Sequence, residues 1–465
     1  GRSDCRPRIS SRSGWTDDHP AGKHTSRLAG KYSFQDGACN GERMRFALLL
    51  LPVALSAQLH YSGSAQPAGM FRSSDGSEIS LPFRMAELKL GYTLGNFDIK
   101  TSSSLEYRWS TGETEFDLRE AYAVWYPRFG EVKVGKQIHA WGAADGNNPT
   151  DNLNAYDYYY LFLPGTDRKI GSLSAAVSAY LGAWQIEAIV IPEHVPNRYT
   201  FGEEDFPIKP PFEPGEYIKV EGPLEYGARL QTTVGESDLS VSYFEGHDRG
   251  FSLIGMNYLQ LQSVNMVLPL PQFGYRSTSV LGGDFVTFFG DLTLRGEMGF
   301  FMTANEANDC CDALLPLEAE YLQYVLQGEV TGPFDIQFSG QFIGSTVLKA
   351  EGLTFNQVIL QQTELTKDSF VPGMGTPFAM FSKQAIMLSG TGNLMDNSLE
   401  LRATTLVNLE EAGMMGGFGV AYSPLENWEI ELGLTQFFGD EADPTNPFTQ
   451  LEDFSHISVG FKYSF

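Results

Sequence analysis

From residue 58 onward, apolar and polar side chains alternate with a period of two. In 291–302 the even positions are Leu292, Leu294, Gly296, Met298, Phe300 and Met302, and the odd ones Asp291, Thr293, Arg295, Glu297, Gly299 and Phe301. Phe334, Ile336, Phe338 and Phe342 alternate with Asp335, Gln337, Ser339 and Gln341. Trp428, Ile430, Leu432 and Leu434 alternate with Glu429, Glu431 and Thr435. The chain closes the same way, with Ile457, Val459, Phe461, Tyr463 and Phe465 set against His456, Ser458, Gly460, Lys462 and Ser464. Successive side chains of a strand point to opposite sheet faces, so each run predicts a strand with one apolar and one polar face.

Alternation alone fits a soluble sandwich or a barrel, and the connections decide between them. Tight turns near residues 95, 127–130, 182, 235, 290, 331–333, 390–397 and 423–427 alternate with long polar stretches at 139–169, 193–224, 247–275, 304–318, 349–376 and 440–454. Strands of about ten residues, short turns at one end and long loops at the other predict an all-β fold, an antiparallel up-and-down transmembrane β-barrel. The pattern yields about eighteen strands, or sixteen if 58–72 is an irregular leader, with 250–275 able to form a hairpin above the membrane. In such a barrel the apolar face meets lipid and the polar face lines the lumen. Asp291, Arg295, Glu297, Asp335, Glu429 and Glu431 are then expected on the lumen wall. Glu120 and Lys136 stand in the wrong register, which predicts a bulge or a cross-strand pair there.

Composition narrows the function classes. The 465 residues carry a formal charge of −25, against a nucleic-acid binder, and include 33 Phe, 21 Tyr and 6 Trp, against intrinsic disorder. The apolar run 46–55, preceded by Arg43 and Arg45 and followed by Ser56 and Ala57, reads as a signal peptide over 44–57. Residues 1–43 lack any period and read as an upstream extension, leaving 58–465 as the barrel. Removing 1–57 takes away nine basic and five acidic side chains and leaves a formal charge of −29.

Two stretches carry resemblances. The last strand, with Tyr463 and terminal Phe465, resembles the sorting signal that bacterial outer-membrane proteins present to the barrel-assembly machinery. LREAY at 118–122, VGKQIHAWGAADG at 134–146, TDNLNAYD at 150–157 and IPEHVPNR at 191–198 resemble a large porin-like family, mostly of unassigned substrate. In that family a strand ending in Gly-x-Gln-x-x-x-Trp-Gly enters a long Asp-rich loop; here Ala155 and Tyr156 replace the Pro usual before its final Asp. The resemblance implies an outer-membrane channel in contact with lipid.

The segment 139–169 is the most distinctive. Folded into the lumen, it is expected to narrow the pore, with Asp145, Asp151 and Asp157 selecting charge. Trp141 enters the loop, and Tyr158, Tyr159 and Tyr160 offer a stacking surface for sugars or aromatics; the plainer alternative is a rim-packed surface loop. The adjacent Cys310 and Cys311 suit a disulfide in an oxidising compartment. His247 and Asp248 form the best dyad-like pair but lack a recognisable Ser partner, so they read as a solvated loop and the protein as no enzyme. No cofactor, metal or nucleic acid is expected. The reading is a passive channel for small polar solutes, with cation preference if the acids line the lumen. A dedicated transporter of a less polar or sugar-like compound and a structural barrel filled by a partner protein stay open, as does assembly into a homotrimer.

Overall fold

The structure, a computed structural model, describes residues 58–206, 220, 222–261, 266–305, 311–356, 361–380 and 382–465. The expectations for 1–43 and the signal peptide at 44–57 lie outside the described residues.

Eighteen antiparallel strands pair in chain order into a closed ring. The first is split into Gln58–Ala65 and Ala68–Arg72 at Pro67, which has no N–H to give a ladder. Phe83–Leu94, Phe97–Tyr107, Thr114–Trp125, Gly130–Gln137, Ser172–Leu181, Trp184–Ile191, Glu225–Val234 and Ser237–His247 follow. Ser277–Phe289, Leu292–Ala304, Leu317–Thr331, Gln337–Asn356, Gln384–Leu394, Leu399–Asn408, Met414–Leu425, Trp428–Phe438 and His456–Ser464 complete the ring. It closes where Ser64 faces Ser464, Ala65 faces Tyr463 and Ala68 faces Gly460. At the seam Phe465 N–H donates to Gly63 O at 2.9 Å and Gly63 N–H to Phe465 O at 3.0 Å. The stretch 58–72 is therefore a barrel strand rather than a leader.

Burial along the strands is inside out. In Ser172–Leu181, Ser172, Ser174 and Ser178 are buried while Leu173 and Val177 are exposed. Ser240 and Ser242 are likewise buried between exposed Leu239, Val241 and Tyr243. An apolar exterior on a ring with no free edge leaves the ladder amides paired strand to strand, as spanning a bilayer requires. This is a transmembrane β-barrel of the outer-membrane type.

The register anomaly at Glu120 is a bulge. Glu120 faces Ser102 but Leu118 faces Ser103, so Arg119 is the extra residue, and Glu120 joins the inward side. Lys136 keeps the register of Val132 and Val134 and pairs with Asp117 at 3.7 Å. Outside the ring, Ser252–Leu261 and Met266–Gly274 form the loop hairpin, extended by Ala313–Leu314 into a separate three-stranded sheet.

Two expected wall residues are not on the wall. Asp291 lies in the tight turn before Leu292–Ala304, and Asp335 lies in the turn Pro333–Asp335, where it and Phe334 take left-handed backbone. Both residues fall inside turns, where alternation carries no information about the pleat. On the long-loop side the lumen holds an apolar core. Trp141 and Leu153 from 139–169, Met374 from a later loop, and Phe244, Phe301 and Tyr321 from the wall belong to one buried cluster.

Candidate functional site

The long segment after Gly130–Gln137 folds into the barrel rather than over its rim. Its neck is tied by Asn154, whose Oδ1 accepts from His139 N–H at 2.7 Å and whose Nδ2 donates to Ile170 O at 2.9 Å. Trp141 is buried, and its indole N–H donates to Glu187 Oε2 at 2.8 Å. Residues 142–150 then reach wall strands that stand six, seven and eight places further round the ring, near the far side.

Glu297 is the anchor on that wall. Its carboxylate accepts from Ala143 N–H at 2.9 Å, Ala144 N–H at 3.2 Å, Asn148 Nδ2 at 3.1 Å, and Thr150 N–H and Oγ1 at 2.9 and 2.7 Å. Gly142 makes this approach possible: φ is +98° and a Cβ there would lie 2.5 Å from both Glu297 oxygens. Next along, Gln327 Oε1 accepts from Asp145 N–H at 2.8 Å and its Nε2 donates to Asp145 Oδ2 at 2.7 Å. Gln341 Nε2 donates to Asp145 O at 2.7 Å, and Asn147 Nδ2 donates to Gln341 Oε1 at 3.1 Å. Arg295 Nη1 donates to Ala143 O at 3.0 Å, pairs with Glu329 at 2.8 Å and stands 3.9 Å from Asp145.

The three aspartates of the segment fare differently. Asp145 keeps a side chain 65% exposed beside Arg295. Asp151 is buried against Lys169 at 2.7 Å. Asp157 is buried, accepts from Tyr159 N–H at 3.2 Å and pairs with Arg198 at 3.1 Å and Arg84 at 3.9 Å. Burial pushes its carboxyl up to about 6, helped by Glu106 and opposed by Arg198 and Arg84. Two of the three expected filter charges are thus internal ion pairs.

The tyrosines are also committed inward. Tyr158 packs on Tyr199 with centroids 4.8 Å apart, Arg84 lies 3.8 Å over the Tyr160 ring, and Tyr159 OH donates to Glu203 Oε1 at 2.7 Å. Buried as they are, Tyr158 and Tyr160 do not form the open stacking face expected from the sequence. Glu429 and Glu431 lie on the strand Trp428–Phe438, with Glu429 opposite Lys462 and 3.9 Å from its Nζ. Cys311 is disulfide-bonded, while Cys310 lies outside the described residues.

Sequence reasoning missed a second set. His247 and Asp248 are buried, not solvated: Asp248 accepts from Arg276 Nε and Thr278 Oγ1, each at 2.7 Å. Arg249 pairs with buried Glu225 at 2.7 Å and donates to Asn152 O and Leu153 O at 3.1 and 3.0 Å, pinning the 139–169 segment from the side. Ligand atoms of His194, Glu225 and His247 lie within 4.8 Å of one another, but the Arg249 guanidinium already supplies the cation there. The run His247-Asp248-Arg249-Gly250 signalled charge in a loop; its partners come from strands and loops far along the chain.

Beside these loops lies a cavity of about 950 Å³. Asn154 and Tyr156 of the crossing segment, Phe251 and Phe370 of other loops, and Ser345 and Gln384 at the wall contribute to its lining.

No protein-family model and no curated protein matches the chain. Among solved structures it is similar to OccK2 (OpdF) of Pseudomonas aeruginosa in complex with glucuronate, at 10% identity and TM-score 0.49, covering 88% of this chain and 97% of that one. It is also similar to OccAB3 of Acinetobacter baumannii, at 8% identity and TM-score 0.49, covering 88% and 99%. A BenF-like porin of Pseudomonas fluorescens Pf-5 gives 10% identity and TM-score 0.48, covering 88% and 98%. The barrel assignment rests on the strand pairing of this chain, not on these likenesses.

Proposed function

We propose that the protein is a passive channel across the outer membrane for small polar solutes, narrowed by the segment 139–169. The observation that carries this reading is the crossing of 142–150 to the far wall, where Glu297, Gln327 and Gln341 hold it. A ring of this strand number encloses an aqueous lumen unless loops fill it, and this reading requires a water-filled cleft beside the bound ribbon. Solutes pass through that cleft in water, and fixed charges within about a Debye length, roughly 8 Å, bias which ions enter.

At the crossing, Asp145 and Glu329 face one cation, Arg295. Glu429 pairs with Lys462 on the neighbouring strand, and Glu400 pairs with Arg402. The acid excess supports a modest cation preference carried by Asp145 and Glu329 rather than by three loop aspartates. Reversal potential under a salt gradient tests it. Asp145→Asn combined with Glu329→Gln is expected to move the potential toward zero, whereas Asp151→Asn combined with Lys169→Gln, which removes a buried neutral pair whole, is expected to leave it unchanged. An unmoved potential in the double variant removes these residues from the filter.

A second reading, a dedicated transporter of a less polar or sugar-like compound, is favoured by the cavity at the long-loop end.

A further inference from the structure

The cavity invites a question of chemistry: which solutes do its walls accept? Three charged residues that line it are buried, and each is already paired. Asp151 holds Lys169, Arg249 holds Glu225 and Arg276 holds Asp248, all at 2.7 Å and all among the buried residues. The two arginines are occupied further, Arg249 by Asn152 O and Leu153 O and Arg276 by Val371 O at 2.8 Å. An ionised solute drawn inside would lose hydration and find no spare counter-charge unless one of these dry pairs broke, which is costly. The remaining charged lining residues, Lys367, Lys383, Asp368, Glu410 and Glu411, are exposed at the edge and mix both signs.

What the lining does offer is uncharged. Rings of Tyr156, Tyr199, Phe251 and Phe370 contribute to it, and aliphatic Leu253 and Val371 stand beside them. Between these sit amides and hydroxyls, among them Ser345, Gln384 and Asn408. Amides and hydroxyls both donate and accept, which suits solute hydroxyls, while ring faces suit a planar or sugar ring. The volume is that of a site for a ligand of a few hundred daltons.

Resting on the channel reading, we infer that this cavity is a binding site on the solute path for uncharged compounds that combine a ring with several hydroxyl groups, and that it disfavours carboxylates. The chain itself provides the contrast: mixed charge at the edge, and paired charge, rings and amides within.

The test uses the purified full-length protein in planar bilayers, with phenyl β-glucoside, glucose and benzoate as probes. Phenyl β-glucoside is expected to reduce the current at a concentration about tenfold below that needed for glucose or benzoate. Phe370→Leu, which removes one ring, should raise that concentration several-fold. Val371→Trp, at a lining position outside the barrel ladder, adds an indole at the cavity wall and should weaken the block several-fold while conductance persists. Benzoate blocking as well as or better than phenyl β-glucoside overturns the inference, as does the absence of block by any probe through a conducting barrel; the channel reading survives both. If the barrel is silent the channel reading fails, and calorimetric titration of phenyl β-glucoside decides the site by itself. Binding weakened several-fold by Val371→Trp supports the site, and no heat in the unaltered protein overturns it.

Discussion

Replacing Glu297 by Ala should free the crossing segment without opening the barrel. The carboxylate receives five hydrogen bonds from 143–150, three of them from backbone N–H groups. Hydrogen bonds to a charged group contribute about 1.5–3 kcal/mol each when removed singly, but donors sharing one acceptor are not additive, and water in a lumen replaces part of what is lost. A loss of about 3–5 kcal/mol in docking is the reasonable scale, comparable to removing one partner of a buried ion pair. That shifts the docked-to-free ratio by more than about a hundredfold. The opposing term is large, since ordering each backbone residue costs about 1–2 kcal/mol, so the docked state has little reserve. The backbone of Glu297 pairs with Asp284 and Val325, and those ladder bonds do not depend on its side chain. Single-channel recording should therefore show higher, noisier conductance, and protease added from the long-loop side should cut within 142–150, while the barrel keeps its resistance to detergent unfolding. Glu297→Gln should lie between, because its amide turns an N–H toward groups that are themselves donors. Unchanged conductance together with an uncut loop would refute the reasoning.

Gly142→Ala should have the same direction as Glu297→Ala, because the added Cβ meets both carboxylate oxygens and the backbone is left-handed; conductance noise reads it. Arg249→Met should destabilise the loops at the mouth by about 3–5 kcal/mol, leaving Glu225 without its cation and two carbonyls without their donor; denaturant titration of the tyrosine near-ultraviolet signal measures it. Burial pushes the Asp157 carboxyl up to about 6, above the usual aspartate value of about 3.9, so the folded state binds the extra proton between those limits. Stability of the tyrosine-rich packing should then fall as pH rises from about 4 to about 6 and level off above, and Asp157→Asn should abolish that slope.

Much of the architecture was legible because a barrel strand writes its two faces directly into alternate residues. Strand starts near 97, 238 and 291 follow from alternation and tight turns, within a residue of Phe97, Ser237 and Leu292, and 250–275 stands out as a hairpin above the ring, as Ser252–Leu261 with Met266–Gly274 is. Asp291 and Asp335 were misplaced because alternation has no meaning inside a turn. Glu120 needed one extra residue, Arg119, and only pairing with Ser102 and Ser103 identifies it. The crossing segment was recognisable from its motif, but the fate of its charges was not. Asp151 and Asp157 look like free acids until Lys169, Arg84 and Arg198 are brought to them by the fold. Glu297, read only as one of several wall acids, is distinguished by what reaches it from 150 residues away, and alternation reports the face of a residue but never its partner.

The central claim, an open passage narrowed by 139–169, is tested most directly by single-channel recording of the unaltered protein with neutral polymers of graded size. The account predicts steady conductance that small polymers reduce and larger ones leave untouched, with a size limit that rises in Glu297→Ala. A barrel that inserts but stays silent, or a size limit identical in the two proteins, would contradict it.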